Sequence, residues 1–129
     1  MLLDTAYLVD LMNGDADAVE KARELEANLV QQRLSAMTLF ELYYGVARAT
    51  DSAAERKTVE DVLASKPVYP ADTAVMRKAG RLAGELQNDG TPVGDGDVII
   101  AATAEVVDEP VLTRNVDDFE RLGVEIETY

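Results

Sequence analysis

The 129-residue chain contains no cysteine and no histidine. The first absence excludes disulfide staples and thiolate chemistry. The second removes imidazole acid–base catalysis, Ser-His-Asp triads and the usual zinc sites together. Catalysis in such a chain has to come from carboxylates, hydroxyls, lysine or a hard metal ion. Lysine is itself scarce, limited to Lys21, Lys57, Lys66 and Lys78. No stretch approaches the roughly 18 apolar residues of a membrane-spanning helix. The opening MLLDTAYLVDLMNG has no basic leader and is broken by Asp4, unlike a secretion signal. A cytoplasmic protein without membrane association is the expectation. The GDG at Gly94–Gly96 lacks the spacing and the lysine of a phosphate-binding loop, and no dinucleotide fingerprint occurs.

Acid is what the chain has in excess: 25 Asp and Glu against 12 Lys and Arg, a formal net charge of −13. Such a surface repels polyanions at low salt. Two readings stay open, a solvated acidic shell and adaptation to high internal salt, where screening contracts to a few ångströms. Hydrophobic residues make up 47% of the chain, enough to bury a core. No linker, repeat or low-complexity tract interrupts the sequence, and the length suits one domain over residues 1–129.

Hydrophobic spacing divides the chain into short strands and amphipathic helices. MLL reads as a buried strand ending at Asp4. TAYLVDLMNG follows as a helix with Thr5 as its cap, and DADAVEKARELEANLVQQ as a longer one. RLSAM is a second strand. TLFELYYGVARA is a helix with Thr38 as cap and Glu41 at the position that completes a capping box. DSAAERKTVEDVLASK is a further helix, capped by Asp51 or Ser52. PVYP is extended, with Pro70 disfavouring helix at Tyr69. ADTAVMRKAGRLAGELQNDG and GDVIIAATAEVV are two more helices, the second apolar nearly all round and hence buried. PVLT, VDDFERLG and VEIET complete the chain as strand, short helix and strand. Short apolar strands alternating with helices imply a parallel sheet covered on both faces. The expected fold class is α/β, a three-layer α/β/α sandwich with a short, mostly parallel central sheet.

In an open parallel sheet, ligands bind beyond the carboxyl ends of the strands. Asp4, Glu41, Asp97 and Asn115 all fall on that edge, from four separate parts of the chain. Each also has a capping or turn role open to it. Asp4 can cap the first helix, and Glu41 can complete the box with Thr38. Asp95 and Asp97 can complement a helix dipole, although one acid suffices for that. Asn115, Asp117 and Asp118 can form the turn before VDDFERLG. Carboxylates gathered in one cleft repel each other unless a cation neutralises them. A hard divalent ion, Mg²⁺ or Mn²⁺, resolves the repulsion and can activate water against a phosphoryl group. Tyr43 and Tyr44 divide between core and exposed surface, and Arg48 and Arg114 are candidates for a basic rim.

The segments LLDTAYLVDLM, LSAMTLFELYYG, VGDGDVIIAATA and VLTRNVDDFERLGVEI resemble, in order and spacing, the signature segments of PIN-domain ribonucleases. The resemblance is closest to the VapC-type toxins of toxin–antitoxin pairs. It implies a Mg²⁺-dependent endoribonuclease, with Mn²⁺ substituting, that leaves 5′-phosphate and 3′-hydroxyl ends. Asp4 and Asp97 match the family's metal ligands, and Glu41 matches the acid that orients or deprotonates water. Asn115 stands where the fourth position is often Asp. An amide there has no charge, so Asp117 or Asp95 could supplement the site. Partners implied by the resemblance are an RNA substrate, a small cognate antitoxin and a second copy of the chain in a homodimer. The alternative is a catalytically weak PIN-like binding module, to which Asn115 would point.

Overall fold

A computed structural model describes every residue from Met1 to Tyr129. Five two-residue strands run parallel: β1 (Leu2–Leu3), β2 (Leu34–Ser35), β3 (Val68–Tyr69), β4 (Val111–Leu112) and β5 (Ile126–Glu127). β1 pairs with β4 and β4 with β5, while β2 pairs with β3. A bridge between Leu2 and Arg33 joins the two groups, so the order across the sheet is β3-β2-β1-β4-β5.

Seven helices cover the sheet: α1 (Thr5–Met12), α2 (Ala16–Ala27), α3 (Ala36–Arg48), α4 (Ser52–Leu63), α5 (Thr73–Asn88), α6 (Asp95–Val107) and α7 (Val116–Arg121). Adjacent strand residues point to opposite faces, and the core divides accordingly. Leu2 and Val111 pack with Val75, Ala79, Ala101 and Phe119, from α5, α6 and α7. Leu3, Leu34 and Leu112 pack with Tyr7, Leu25, Leu42 and Val59, from α1 to α4. This is the three-layer α/β/α arrangement expected from the sequence, with every strand pair parallel. No helix is long and apolar enough to cross a membrane.

The order β3-β2-β1-β4-β5 contains a reversal. From β1 the chain builds outward through β2 to β3, then returns to the other side of β1 for β4 and β5. The elements after β1 and after β4 therefore diverge onto opposite faces and leave a crevice between them at the carboxyl edge. The two ladders carry their last residues into it. Asp4 N–H donates to Leu112 O (3.0 Å), and Thr113 N–H donates to Glu127 O (3.0 Å).

Helix boundaries depart from the sequence expectation where a cap was misassigned. α3 starts at Ala36, and its cap is Ser35, whose Oγ accepts from Met37 N–H (3.1 Å). Thr38 is a buried residue inside the first turn, so no capping box forms with Glu41. Thr5 is likewise the first helical residue of α1, with Asp4 before it. α6 follows Gly94 as its N-cap and has no side-chain cap, which leaves both Asp95 and Asp97 in the first turn without a capping role. α2 stops at Ala27 because Leu29 takes a left-handed φ of 53°, two residues on. Asp51, of the two candidates, caps α4 by accepting from Ala54 N–H (3.1 Å).

Candidate active site

Asp4 follows β1 directly and is 1% exposed. Its Oδ2 accepts from Thr113 Oγ1 at 2.7 Å, across the β1–β4 pair. The same Thr113 oxygen accepts from Asn115 N–H at 2.9 Å, which fixes the turn after β4. Burial raises the Asp4 pKa, the Thr113 hydroxyl opposes the rise, and the charge of Glu41 adds to it. Backbone N–H groups of Thr5 and Ala6 also oppose the rise, and burial outweighs them all.

Glu41 lies on α3, half-buried, next to the buried stripe Thr38, Leu42 and Val46. Thr5 Oγ1, one residue after Asp4, donates to Glu41 Oε1 (3.1 Å) and pairs with Thr38 Oγ1 (3.0 Å). Burial again raises the pKa, with the Thr5 bond opposing and the charge of Asp97 adding. The opposite wall is α6. A methyl group on Gly96 would stand 3.4 Å from both Glu41 carboxylate oxygens, an ordinary contact that places this turn of α6 directly against the Glu41 carboxylate.

The distance between α3 and α6 is set by a chain of buried hydroxyls. Thr103 Oγ1, in α6, donates to Ile99 O (2.8 Å) and lies 3.0 Å from Ser35 Oγ. Since the Thr103 proton is engaged, Ser35 is the donor of that pair, and its oxygen accepts from Met37 N–H. Both hydroxyls of this link are satisfied, as a buried network requires. The link ties the start of α3 to the middle of α6 and so holds Glu41 opposite Asp97.

Asp97 is half-buried in the first turn of α6. Its pKa is pushed up to about 6, by burial first, then by the charges of Asp4 and Asp118 and by a hydrogen bond with the Asp118 carboxyl that favours the protonated form. Asp118, on α7, is the member that the sequence reading passed over in favour of its neighbour. Asp117 is exposed, whereas Asp118 is half-buried and faces Asp97. The signal available was Phe119, whose burial fixes the rotation of α7. Asn115 stands at the N-cap position of α7, exposed, with no side-chain cap bond. Asp95 is exposed and stands apart from this cluster.

Four carboxylates thus act on each other's charge: Asp4 with Glu41, Glu41 with Asp97, and Asp97 with Asp4 and Asp118. All donors are hard oxygens, which suits Mg²⁺ or Mn²⁺ and not a soft metal. No three of them converge tightly enough to form a ready-made cage. That is compatible with Mg²⁺, which uses one or two carboxylates and retains several waters. The unrelieved repulsion fits a group of residues that a divalent cation would neutralise.

The raised Asp97 value has a measurable consequence. Its folded-state pKa of about 6 exceeds the ordinary 3.8. The folded state therefore holds a proton that the unfolded chain loses between those values. This stabilisation is full below about pH 4 and lost as pH rises through about 6. Asp97→Asn should then stabilise the metal-free protein at pH 7.5 by about 1–3 kcal/mol, allowing for solvent screening. Urea unfolding in EDTA at pH 7.5 and near pH 4 checks this. The gain should vanish at the lower pH; an equal gain at both, or a loss at pH 7.5, contradicts it.

Known proteins carry the same architecture. The PIN domain family model matches residues 1–125. The tRNA(fMet)-specific endonuclease VapC of Salmonella typhimurium is 30% identical over 129 residues, spanning 99% of this chain and 96% of its own. Ribonuclease VapC19 of Mycobacterium tuberculosis is 34% identical over 119 residues, 92% of this chain and 90% of its own. The crystal structure of DNA-bound VapBC from Salmonella typhimurium contains a chain that superposes with a TM-score of 0.88 at 29% identity, covering 98% of this chain and 96% of that one. The chain belongs to the PIN-domain family, among its VapC ribonucleases.

Proposed function

We propose that this protein is an endoribonuclease toxin that hydrolyses RNA phosphodiester bonds with a divalent cation held by Asp4 and Asp97. The observation that carries the reading is the gathering of the buried Asp4 and the half-buried Glu41, Asp97 and Asp118 at the sheet's switch point, where they disfavour one another's ionisation. Bound Mg²⁺ or Mn²⁺ supplies positive charge to the phosphoryl group and lowers the pKa of water. Asp4, fixed by Thr113, and Asp97 offer the ion its carboxylates, and Asp118 adds a third where Asn115 has no charge to give. Glu41, oriented by Thr5, accepts the proton of the attacking water. Its raised pKa brings it closer to the working pH, as a general base requires. Cleavage with water as nucleophile leaves a 5′-phosphate and a 3′-hydroxyl. A cytoplasmic site of action is proposed with it, where such RNAs are met.

The similarity to chains from VapBC toxin–antitoxin complexes supports a small antitoxin as a partner. A basic antitoxin segment lying in the acidic crevice would supply the missing countercharge. Six large apolar side chains are exposed outside the site, Leu29, Phe40, Tyr43, Tyr44, Val68 and Met76, so Tyr43 and Tyr44 both lie at the surface instead of dividing between core and surface. Phe40 is 64% exposed and Tyr44 56%, and their rings stack 6.4 Å apart on the outer face of α3. Exposed aromatics of this kind mark protein–protein surfaces, and a homodimer is the occupant proposed. Sedimentation of the purified chain at micromolar concentration should give the dimer mass, with Tyr44→Glu shifting it to monomer; a wild-type monomer removes this part of the reading.

The principal test is cleavage of a pool of structured RNAs, tRNAs included, with Mg²⁺ or Mn²⁺, at low and high salt. Discrete products should appear, disappear in EDTA, and fall roughly 10²–10³-fold in Asp97→Asn, the loss typical of removing one stabiliser of transition-state charge. Folded, antitoxin-free protein that cuts no RNA under any of these conditions would favour the binding module.

A further inference from the structure

A ribonuclease with a net charge of −13 must bring a polyanion to a cluster of carboxylates. Coulomb repulsion there is local and is relieved only by a local cation. Beside the acids lies an open cleft of about 330 Å³, lined by Arg114, Asn115, Val116, Asp117 and Asp118. Asp118 joins this cleft to Asp97. Arg114 is the only basic side chain in its wall.

The position of that arginine is set from two sides. Its backbone follows Thr113, whose hydroxyl is bonded to Asp4 and to Asn115 N–H. Its side chain is 54% exposed, yet Nη1 is held at 2.5 Å by Asp10 Oδ1 from α1. Asp10 is itself clamped: its other oxygen accepts from Tyr129 Oη, and the Tyr129 ring packs edge-on against Tyr7 at 5.1 Å. The chain of contacts runs from the buried Tyr7 through Tyr129 and Asp10 to the rim of the cleft. An exposed ion pair contributes little to stability. Its physical effect is to restrict where a long, flexible cation can stand. Nη1 makes the only hydrogen bond of the guanidinium, so its remaining N–H donors are free for an anion, and a planar fork suits a phosphate.

We propose that Arg114 is the phosphate anchor of the site, gripping an RNA phosphodiester next to the scissile one, and that Asp10 is a positioning residue that sets its reach. The assignment rests on the ribonuclease reading and adds to it a residue that offers an RNA phosphate a positive contact beside the acids. Asp10 leaves part of the arginine's charge for the substrate because the RNA phosphate competes from the open side.

Initial rates of cleavage of total tRNA, measured across substrate concentration and salt, test the proposal. Arg114→Ala should raise the apparent KM about tenfold, the effect of losing one charge-assisted hydrogen bond, with the loss in KM and not in kcat. The plot of log kcat/KM against log salt should become shallower by about 0.7, one phosphate contact fewer. Arg114→Lys should restore the salt slope but only part of the KM, since it keeps charge without the fork. Asp10→Asn should raise KM less than Arg114→Ala, and keep the wild-type slope. Wild-type KM and slope in Arg114→Ala, or a fall in kcat alone with a lowered unfolding midpoint, would overturn the anchor and leave the ribonuclease reading standing. A wild-type protein that cleaves no RNA overturns both.

Discussion

The structure depends on keeping Asp4 buried at the end of β1. A carboxylate that is 1% exposed is costly unless something answers its charge. The fold supplies a short bond from Thr113 with help from the backbone N–H groups of Thr5 and Ala6, and then gathers three further acids nearby. Such an arrangement is unfavourable for folding alone. Its cost is tolerable because two hydrophobic cores, one on each face of the sheet, hold the strand that carries it. The repulsion is the chemical resource of the site: it makes the crevice a place where a hard cation gains more than it would in water.

Position comes from the parallel sheet, and precision from hydroxyls. β1 and β4 are neighbours whose following segments diverge, so Asp4 and Thr113 meet across the crevice. Thr5 then orients Glu41, and Ser35 with Thr103 fixes α3 against α6. Each of these contacts joins elements distant in sequence. Small hydroxyl side chains suit this task because they satisfy buried donors and acceptors without adding charge to a region already overloaded with it.

The layer architecture was legible because apolar runs such as MLL and PVLT are short and alternate with amphipathic helices. Asp4, Glu41 and Asp97 stood out because they end strands or begin helices on one edge, in a chain with no histidine to offer another chemistry. The errors are instructive. Ser35 and Thr38 are both good caps by residue type, and only the buried bond to Thr103 shows why the helix starts at the first. Asp117 and Asp118 differ by one position, about 100° around a helix, and the burial of Phe119 decides which faces Asp97. The Asp10–Arg114 clamp joins residues 104 positions apart and has no local sequence signal.

The central claim is that burial and mutual proximity disfavour ionisation of Asp4, Glu41 and Asp97, and that a divalent cation relieves this. Calorimetric titration of Mg²⁺ into the metal-free protein at pH 6, in two buffers of different ionisation enthalpy, addresses it without RNA. Asp97 is pushed up to about 6 and so is about half protonated there. Binding should release roughly half a proton per ion from this group, and Asp97→Asn should abolish that release and weaken binding. Binding with no proton release, or binding unchanged in Asp97→Asn, would contradict the account.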